Sequence, residues 1–408
     1  MKCRFCKTLL ENIFIDLINS PASNSYLSKE QLNEPETFSP LKVFTCPTCF
    51  LVQVDEYKSS EAIFSHDYAY FSSYSSTMLA HSKKYVEMMI ERFKFSEKSQ
   101  VVEIASNDGY LLQYFKEKNI PVLGIEPTAN TAKVAQDKGI ETIVEFFGVE
   151  LAQKLVAKGA EADLLLGNNV LAHVPDIIDF VSGMKLLLKK DGVITMEFPH
   201  LMQLVENNQF DTIYHEHFSY LSFMTVQEIF ASQGLELFDA EELPIHGGSL
   251  RIFAKHKDDT SKSVSPHVTD LVKKETAKGM RSMEYYNNFQ EKALEVKLDM
   301  VQFLIDQKRA HKKVAAYGAA AKGNTLLNFC GIKADLIDFV VDANPHKQNK
   351  FLPASHIPIV NEAYLKEHKP DFVIILPWNI QTEIMNQLAY IKEWGGTFVI
   401  PIPSLKIV

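Results

Sequence analysis

The stretch QVVEIASNDGYLLQYF, residues 100–115, establishes the architecture of the central part of the chain. It begins as a short apolar strand, passes through a turn of small residues and enters an amphipathic helix. Such a strand–turn–helix directs backbone N–H groups and the positive end of the helix toward a ligand at the carboxyl edge of a parallel sheet. The turn lacks the three spaced glycines of a dinucleotide fingerprint, which favours a ligand without a pyrophosphate.

Later strands bring polar side chains to the same edge. The strand PVLGIEP ends at Glu126, where an acidic residue can accept hydrogen bonds from both hydroxyls of an adenosine ribose. DLLLGNNVLAHVPD ends its strand at Asn168, with His173 in the following turn, and DGVITMEFPH carries Glu197 at its end. Adenosine with a short charged tail, as in S-adenosylmethionine, fits these elements better than a dinucleotide.

Composition limits the class of protein. A length of 408 residues predicts two to four domains. The formal charge of -9 and pI near 5.8 argue against nucleic acid as the main partner, because phosphate binding needs a basic face. No window approaches the about 20 consecutive apolar residues of a membrane span, and MKCRFCKTLLE lacks the apolar core of a signal peptide. We therefore expect a cytoplasmic protein without a membrane partner.

The cysteines form two C-x-x-C pairs, Cys3 with Cys6 and Cys46 with Cys49, while Cys330 stands alone. Two thiolate pairs on tight turns can close a tetrahedral shell around one Zn²⁺. The segment between the pairs is poor in core-forming residues and would gain most from a metal clip. A redox role is the alternative, although neither pair opens a helix after a strand. We expect Cys330 to be a small buried apolar residue.

The run FDTIYHEHFSYLS, residues 210–222, concentrates Tyr214, His215, Glu216 and His217 between apolar residues. If the run is extended, His215 and His217 share one face, and Tyr214 and Glu216 share the other. Three interpretations stay open from these residues alone. They are a metal site, a general base with supporting groups, and a polar strand end with hydrogen-bonded histidines.

The C-terminal half predicts a second, smaller parallel α/β unit after a charged helical segment, because KKVAAYGAAAKGNTLLNF repeats the strand–turn–helix pattern. Its turn, 318–323, with Lys322 and Asn324 at the helix start, suits a pyrophosphate. A degenerate duplication retained for packing is the alternative. Asp342, at the next strand end, is either a ribose partner or a helix cap. The preceding helix has a core-facing stripe of Phe289, Ala293, Val296, Met300 and Phe303.

Together the motifs C-x-x-C, EIASNDG, GIEP, NNVLAHVP, FDTIYHEHF, HGGSLR and YGAAAKGNTLLN resemble the three-part sugar C-methyltransferases, over nearly the whole chain. Those enzymes act on nucleotide-linked 4-keto-deoxysugars in antibiotic and surface-polysaccharide pathways. The resemblance implies an α/β protein with a zinc-binding lobe over residues 1–75. A class I, Rossmann-like S-adenosylmethionine methyltransferase domain follows over 76–257, and a smaller Rossmann-like domain with a long helical lead-in over 258–408. One departure is Ala105, where the family usually has glycine.

The resemblance also implies the site residues. Around the methionine part of the donor it places Glu103, Ser106, Asn107, Asp108 and Gly109. It assigns the donor ribose to Glu126, and the surroundings of adenine and sulfonium to Phe146, Phe147 and Asn168. The proposed base is His217, with Tyr214 and Glu216 beside it and His173 near the sugar. The nucleotide sugar is expected to contact Tyr68, Tyr70, His246, Arg251, Lys322 and Asn324, and zinc is expected on Cys3, Cys6, Cys46 and Cys49.

The implied chemistry explains these residue types. Methylating carbon requires a carbanion, and the readily removed C–H protons of a deoxysugar lie next to a ketone. A neutral imidazole with a pKa near its ordinary value of about 6.5 is a workable base at neutral pH. Two rivals remain: an O- or N-methyltransferase on a related sugar or polyketide, and a non-catalytic protein that binds nucleotide sugars. The sequence leaves open whether the protein is a monomer or a homodimer.

Overall fold

The computed structural model describes residues 1–57, 59 and 71–408, so the expected sugar contacts Tyr68 and Tyr70 lie outside the described residues. Among the described helices, none combines the length and apolar character needed to cross a membrane. The strands of the described chain are β1 (Ile13–Ser20), β2 (Ser39–Thr45), β3 (Val52–Val54), β4 (Val101–Ile104), β5 (Val122–Ile125), β6 (Thr142–Ile143), β7 (Ala162–Asn168), β8 (Leu188–Pro199), β9 (Ser219–Tyr220), β10 (Leu235–Leu243), β11 (Ser249–His256), β12 (Val314–Tyr317), β13 (Val340–Val341), β14 (Ile359–Val360), β15 (Phe372–Ile375), β16 (Thr397–Ile400) and β17 (Lys406–Ile407). The α-helices are α1 (Ser76–Phe93), α2 (Leu112–Lys116), α3 (Ala129–Asp137), α4 (Val149–Ala157), α5 (Ile177–Leu187), α6 (Leu201–Glu206), α7 (Phe223–Ser232), α8 (Pro266–Ala277), α9 (Phe289–Arg309), α10 (Ala321–Cys330), α11 (Glu362–His368) and α12 (Gln381–Gln387).

The central sheet has seven strands in the order β10-β11-β8-β7-β4-β5-β6. Strands β4 to β8 are parallel, and β11 runs antiparallel between β8 and β10. The order reverses between β4 and β7, and ligands of open α/β sheets bind outside the carboxyl ends of the strands at such a reversal. The sheet confirms the predicted Rossmann-like methyltransferase fold and fixes where its ligand site lies.

The C-terminal sheet has six strands in the order β14-β13-β12-β15-β16-β17, of which only β17 is antiparallel to its neighbour. This confirms the smaller Rossmann-like unit. The stripe predicted on the helix before it is buried along α9: Phe289, Ala293, Val296, Met300 and Phe303.

The N-terminal sheet takes its fourth strand from a distant part of the chain. Its order is β1-β2-β3-β9, and β9 lies in the histidine-rich run of residues 210–222, beginning two residues after His217. Val52 pairs with Tyr220 and Gln53 with Ser219, antiparallel. The histidine-rich run is therefore attached to the N-terminal lobe through its own backbone.

Apolar packing joins the lobes as well. Phe14 of β1 stacks on Phe289 of α9, with ring centroids 4.6 Å apart. Both rings belong to a core that continues into the C-terminal sheet. Leu51 and Cys49 belong to a second core, shared with the central sheet. The N-terminal lobe thus packs on both α/β units.

The start of α7 holds the end of the histidine-rich run in place. Ser222 caps the helix, and its hydroxyl accepts the N–H of Thr225 at 3.2 Å. The fully buried carboxylate of Glu275, from α8, accepts the N–H of Phe223 at 2.6 Å and lies 2.7 Å from Nε2 of His200. Side-chain oxygens therefore satisfy amide groups that a buried helix start would otherwise leave without partners.

Candidate active site

The turn after β4 uses backbone conformations that side chains rarely adopt. Ala105 has a φ of 57° and Asn107 a φ of 49°. Glycine enters this left-handed region without a Cβ penalty, which accounts for the family's usual glycine at the position of Ala105. The side-chain oxygen of Asn107 accepts the N–H of Ser72 at 2.9 Å, which fixes the segment before α1 over the turn.

Glu126 closes the neighbouring strand end onto the same turn. One carboxylate oxygen accepts the N–H of Asn107 at 2.8 Å. The other accepts the N–H of Thr128 at 2.9 Å and also the Thr128 hydroxyl. Burial raises the pKa of Glu126, against the lowering effect of these hydrogen bonds. The carboxylate is therefore held rigidly at the edge of the sheet.

A pocket of about 300 Å³ lies at the carboxyl ends of β4, β5, β7 and β8. This volume falls at the small end of the range for small-molecule sites. Residues singled out in the sequence form much of its wall: Asn107, Glu126, Phe146, Phe147, Asn168, His173 and His246. The structure thus gathers the predicted donor residues from separate strand ends around one cavity.

Buried polar atoms around this turn and these strand ends suit a polar ligand. Within the described chain, both carboxylate oxygens of Glu103, Nδ2 of Asn168 and Oδ1 of Asn169 lack hydrogen-bond partners. Burial, with the nearby charges of Glu126 and Asp108, raises the pKa of Glu103 well above its usual range. Asn168 and Asn169 line the pocket, and S-adenosylmethionine carries hydroxyl, ammonium, carboxylate and ring-nitrogen groups that can bond to their free atoms, so the residues present fit this donor.

Only one of the residues expected around the methionine part of the donor, Asn107, lines the described pocket. Of the five residues expected there, Asn107 alone lies in the described wall of the pocket. The carboxylate of Asp108 accepts the hydroxyl of Ser73, and a Cβ atom at Gly109 would lie 2.5 Å from the side chain of Ile140. The other members of the set, Glu103 and Ser106, are fully buried. These four residues support the turn from within the protein and do not line the described pocket.

The part of the run that carries Tyr214, His215, Glu216 and His217 is a turn and not a strand, which corrects the extended arrangement considered from the sequence. Residues 210–212 form a short 3-10 helix, and the N–H of His217 bonds to the carbonyl of Tyr214 at 2.9 Å. Nε2 of His215 lies 3.1 Å from the carbonyl oxygen of Pro40. His215 and His217 therefore have different partners and do not form a shared face.

The imidazole of His217 is fixed in one tautomer. Its Nδ1 lies 2.8 Å from the carbonyl oxygen of Thr212, which can only accept, so Nδ1 carries the hydrogen. Nε2 is buried and has no hydrogen-bond partner among the described residues. The free lone pair of the neutral ring is therefore on Nε2.

Two rings enclose His217. The ring centroid of Tyr214 lies 4.1 Å away, and His173 meets His217 edge-on at 4.6 Å. Burial, with the nearby charge of His173, lowers the pKa of His217 well below its usual range. Burial likewise lowers the pKa of His173 to about 4, against a hydrogen bond to the Glu216 backbone. Both imidazoles are therefore neutral at pH 7.

Glu216 points to the N-terminal lobe. Its carboxylate accepts the side-chain N–H of Asn24 at 2.7 Å. Burial raises the pKa of Glu216 to about 7, despite that hydrogen bond. Glu216 thus anchors the run to the neighbouring lobe while His217 faces the two rings.

In the C-terminal turn, 318–323, the first three backbone N–H groups donate hydrogen bonds to other groups of the protein. The N–H of Gly318 bonds to Val341 at 2.7 Å, and the N–H of Ala319 bonds to the carboxylate of Asp342 at 2.8 Å. The N–H of Ala320 bonds back to Gly318. Asp342, expected to bind ribose or cap a helix, instead holds the turn, and these three amides are not available to a pyrophosphate.

Lys322 and Asn324 leave this turn in different directions. Nζ of Lys322 donates to Asn379 at 2.7 Å and lies 4.8 Å from the ring centroid of Trp378. Burial lowers the pKa of Lys322. Separately, the positive charge of Lys322 contributes to the lowered pKa of His217. The side chain of Asn324 donates to Ser23 at 2.6 Å. Lys322 is therefore directed to the active site, whereas the amide of Asn324 joins two lobes.

His246 and Arg251 lie near the same pocket. His246 is part of the pocket wall and has a φ of 53°, and burial lowers its pKa to about 4. Arg251 donates to Glu241 at 2.7 Å and to Glu197 at 2.8 Å. The carboxylates that Arg251 meets thus belong to the protein itself.

Several pocket residues were missed as site residues. Asn169 and Glu197 stand at strand ends that the sequence indicated, and Ser72, Tyr110 and Pro175 come from connecting segments. A polar residue at the end of a buried strand was the available signal for Asn169 and Glu197. The connecting segments had no such signal.

The four paired cysteines converge as predicted. Their sulfur atoms lie within 4.8 Å of one another, with Cys3 and Cys49 3.6 Å apart and Cys6 and Cys46 3.4 Å apart. Tetrahedral zinc with bonds of about 2.3 Å places sulfurs about 3.8 Å apart. The set therefore matches a structural zinc site. Cys330 is buried elsewhere in the core, as expected.

The sheet order, the donor pocket and the cysteine cluster together define a zinc-binding, S-adenosylmethionine-dependent methyltransferase. Family models match successive parts of the chain: a zinc binding domain over residues 3–64, a methyltransferase domain over 78–240, and a C-methyltransferase C-terminal domain over 244–403. The chain is 33% identical to the C-methyltransferase NovU of Streptomyces niveus, across 100% of this chain and 96% of the relative. The chain belongs to this family of C-methyltransferases.

Other similarities are partial. The ubiquinone biosynthesis O-methyltransferase of Bartonella bacilliformis is 24% identical over 126 residues, which is 30% of this chain and 51% of that protein. The solved structure of magnesium protoporphyrin IX methyltransferase from Synechocystis PCC 6803 is 13% identical, with a TM-score of 0.35, over 43% of this chain and 82% of that chain.

Proposed function

We propose that the acceptor is a nucleotide-linked 4-keto-deoxysugar and that Nε2 of His217 removes the proton from the carbon next to its ketone. The observation that carries the proposal is the state of His217, with Nδ1 bound to the Thr212 carbonyl and Nε2 buried without a partner among the described residues. A carbon next to a ketone becomes a nucleophile only after a base removes its proton, and His217 can serve as that base. The family to which the chain belongs transfers methyl groups to carbon.

Burial prepares His217 for this step. The lowered pKa keeps the ring neutral at pH 7, so the lone pair of Nε2 is available without prior deprotonation. The same shift departs from the ordinary pKa expected from the sequence and makes this imidazole a weaker base. The bond to Thr212 fixes the ring plane and stabilises the imidazolium once a proton arrives, because Nδ1–H then donates from a charged ring. General-base assistance of this kind is typically worth about 10²–10⁴-fold in rate.

The rings around His217 supply donors for an enolate oxygen. Tyr214 lies against one side of the imidazole, and its phenol carries an O–H. His173 meets the same imidazole edge-on and also lines the donor pocket, so the proposed base lies next to the pocket wall. Hydrogen-bond donors fixed where negative charge develops lower the barrier because they need no reorganisation.

The donor pocket sets the geometry of transfer. Bound S-adenosylmethionine supplies an electrophilic methyl group. The chain holds this donor between the turn at Asn107 and the strand end at Asn168, while the acceptor carbon must approach on the side of His173 and His217. Reacting atoms need to meet at about 3–3.5 Å, so the rigidity of both turns matters for rate.

Lys322 is the group we assign to the negatively charged nucleotide portion. It comes from the C-terminal domain, lies on the Trp378 ring and lowers the pKa of His246 as well as that of His217. Phosphate oxygens favour such an ammonium group. Replacing Lys322 with Met should raise the acceptor KM and leave the donor Kd unchanged, whereas an unchanged acceptor KM would place the phosphates elsewhere.

The proposed function is tested with a nucleoside-diphosphate-linked 4-keto-6-deoxyhexose and S-adenosylmethionine. NMR of the product should show the new methyl bonded to carbon, next to the ketone. With S-adenosylhomocysteine in place of the donor, the enzyme should exchange that C–H with deuterium from solvent. A methyl bonded to oxygen or nitrogen would favour the heteroatom rival, and binding without transfer would favour a non-catalytic protein.

A further inference from the structure

A row of polar residues crosses the central sheet and ends at the donor pocket. Glu241 pairs with Arg251, Arg251 with Glu197, and Glu197 with Asn168 on successive strands. Residues in register on neighbouring strands share a face, so the side chains of these four follow one another across the sheet. The row runs from the partly exposed Glu241 to the wall of the pocket.

Glu197 is the member of the row that combines charge with access to the pocket. Its side chain is 4% exposed and forms part of the pocket wall. Burial raises the pKa of Glu197, but a hydrogen bond from His81 and the charge of Arg251 outweigh burial, and the net effect lowers the pKa. Glu197 is therefore ionised at pH 7.

The carboxylate of Glu197 is held firmly and still has acceptor capacity. Nε2 of His81 lies 3.0 and 3.1 Å from its two oxygens, and Arg251 donates to one of them at 2.8 Å. A carboxylate offers about four acceptor positions, and the single hydrogen of an imidazole nitrogen fills one. The guanidinium is shared with Glu241 and lies over the ring of Tyr85, so its one positive charge faces two carboxylates.

The strand order places this carboxylate away from the ribose end of the pocket. From Glu126, after β5, to Glu197, in β8, the sheet crosses β4 and β7. Three inter-strand spacings of about 4.8 Å separate the two carboxylates by about 14 Å. Glu197 also adjoins His246, whose pKa its charge raises. This is the side of the pocket nearer to Lys322 and the C-terminal domain.

We propose that Glu197 is an acceptor-binding residue, which accepts a hydrogen bond from a sugar hydroxyl close to the carbon that is methylated. This inference rests on the proposed sugar acceptor. His81 and Arg251 act through Glu197 as positioning residues, because they fix the direction of its oxygens. An acceptor that lacks this hydroxyl leaves a buried charge without its partner, so the site selects for the hydroxyl.

The test compares Glu197→Gln with Glu241→Gln as the matched control. Both changes remove a carboxylate that faces Arg251, but only the first alters the pocket. Glu197→Gln should raise the KM for the nucleotide-linked 4-keto-6-deoxyhexose about 10–100-fold, as expected for a lost hydrogen bond to a charged group. The Kd for S-adenosylmethionine, measured by calorimetry, should stay within about threefold, and Glu241→Gln should change neither value.

A second arm uses the acceptor analogue in which hydrogen replaces the hydroxyl next to the methylated carbon. Wild type and Glu197→Gln should then show the same KM, because the interaction is absent from both. If Glu197→Gln instead weakens the binding of S-adenosylmethionine, the carboxylate binds the ammonium group of the donor and the inference fails. Glu197→Asp, which keeps the charge, covers the case in which Glu197→Gln does not fold, and it should keep the preference for the hydroxyl acceptor.

The two proposals fail in different ways. Wild-type enzyme that methylates no nucleotide-linked keto sugar would overturn the proposed function and this inference with it. Wild-type turnover with an unchanged acceptor KM in Glu197→Gln would overturn the inference alone.

Discussion

Arg4 donates from one guanidinium nitrogen to the carbonyl oxygen of Pro175 at 3.0 Å. Arg4 lies between the cysteines of the first C-x-x-C pair, and Pro175 is part of the donor pocket wall. The same guanidinium donates to Val54 at 2.5 Å and lies 5.4 Å from the ring centroid of Phe218, next to His217. The side chain of Arg4 thus links the cysteine cluster both to the wall of the donor pocket and to the turn that carries His217.

Changing a zinc ligand should therefore affect the donor site. We expect about one zinc per chain, and Cys46→Ser should lower the zinc content because it opens the tetrahedral shell. It should also weaken S-adenosylmethionine binding. Elemental analysis and calorimetry measure the two effects. Cys330→Ser, at a buried cysteine outside the cluster, is the control and should keep full zinc; full occupancy in Cys46→Ser would refute the zinc assignment.

Arg4→Met should separate the effect of zinc binding from the effect of the Arg4 contact on the donor pocket. The variant keeps all the ligands, so zinc content should stay normal, but the hydrogen bonds to Pro175 and Val54 are lost. We expect the Kd for S-adenosylmethionine to rise only about 3–10-fold, because Arg4 contacts the pocket wall at Pro175 and not the donor itself, so only part of the lost hydrogen-bond energy reaches the donor site. A donor Kd equal to that of wild type would show that the pocket does not depend on Arg4.

His217→Asn should separate chemistry from binding. Asn keeps approximate size and hydrogen bonding but removes the proton acceptor, so kcat should fall by roughly 10²–10⁴ while both substrates still bind. Solvent deuterium exchange should disappear with it. His215→Asn, in the same turn but directed to Pro40, should retain the exchange. Exchange that survives in His217→Asn would mean that His217 positions the acceptor and another group takes the proton.

Glu216 should make stability depend on pH. Its folded pKa of about 7 exceeds the usual value for an unfolded chain, so the folded protein binds the extra proton. The stability associated with this proton is fully present below about pH 4.3 and is lost as pH rises to about 7. Glu216→Gln keeps an acceptor for Asn24 and should unfold at a higher denaturant concentration than wild type at pH 8. The advantage should vanish near pH 4; an equal advantage at both pH values would contradict the raised pKa.

Glu126→Ala should weaken the binding of S-adenosylmethionine. The change removes the proposed acceptor for the ribose hydroxyls and releases the Asn107 amide, so the Kd for S-adenosylmethionine should rise at least about tenfold. Glu145→Ala, at an exposed carboxylate on the rim of the same pocket, should alter the Kd by less than about threefold. Circular dichroism checks that both variants fold. Unchanged affinity in Glu126→Ala would remove Glu126 from the donor site.

Local patterns were enough to predict the edge of the sheet where the pocket lies and the convergence of the four cysteines. Strand ends in a parallel sheet meet at one edge, so Glu126 and Asn168 had to lie along the same edge once the strands were identified. Two C-x-x-C pairs bring four thiolates together for the same kind of geometric reason. The sheets and the buried stripe of α9 followed from hydrophobic periodicity.

The histidine-rich run and the C-terminal turn required contacts that no local pattern contains. His217 owes its orientation to a turn closed on Tyr214 and to the carbonyl of Thr212. Ala319 gives its N–H to Asp342, and its carbonyl accepts from Tyr26 at 2.6 Å, a residue of the N-terminal lobe. Such tertiary partners decide which amides remain for a ligand, and they become visible only when the lobes are assembled.

The short strand β9 has a consequence for how such an enzyme can be inherited. Ser219 and Tyr220 complete the N-terminal sheet shortly after His217, the proposed base, so the position of His217 depends on a lobe that the methyltransferase fold does not contain. A gene fragment encoding only that fold would carry the donor pocket but leave Ser219 and Tyr220, which closely follow His217, without their partner strand. Recombination between relatives should therefore exchange the lobe and the histidine-bearing turn together, and chimaeras that split them should bind donor without deprotonating the acceptor.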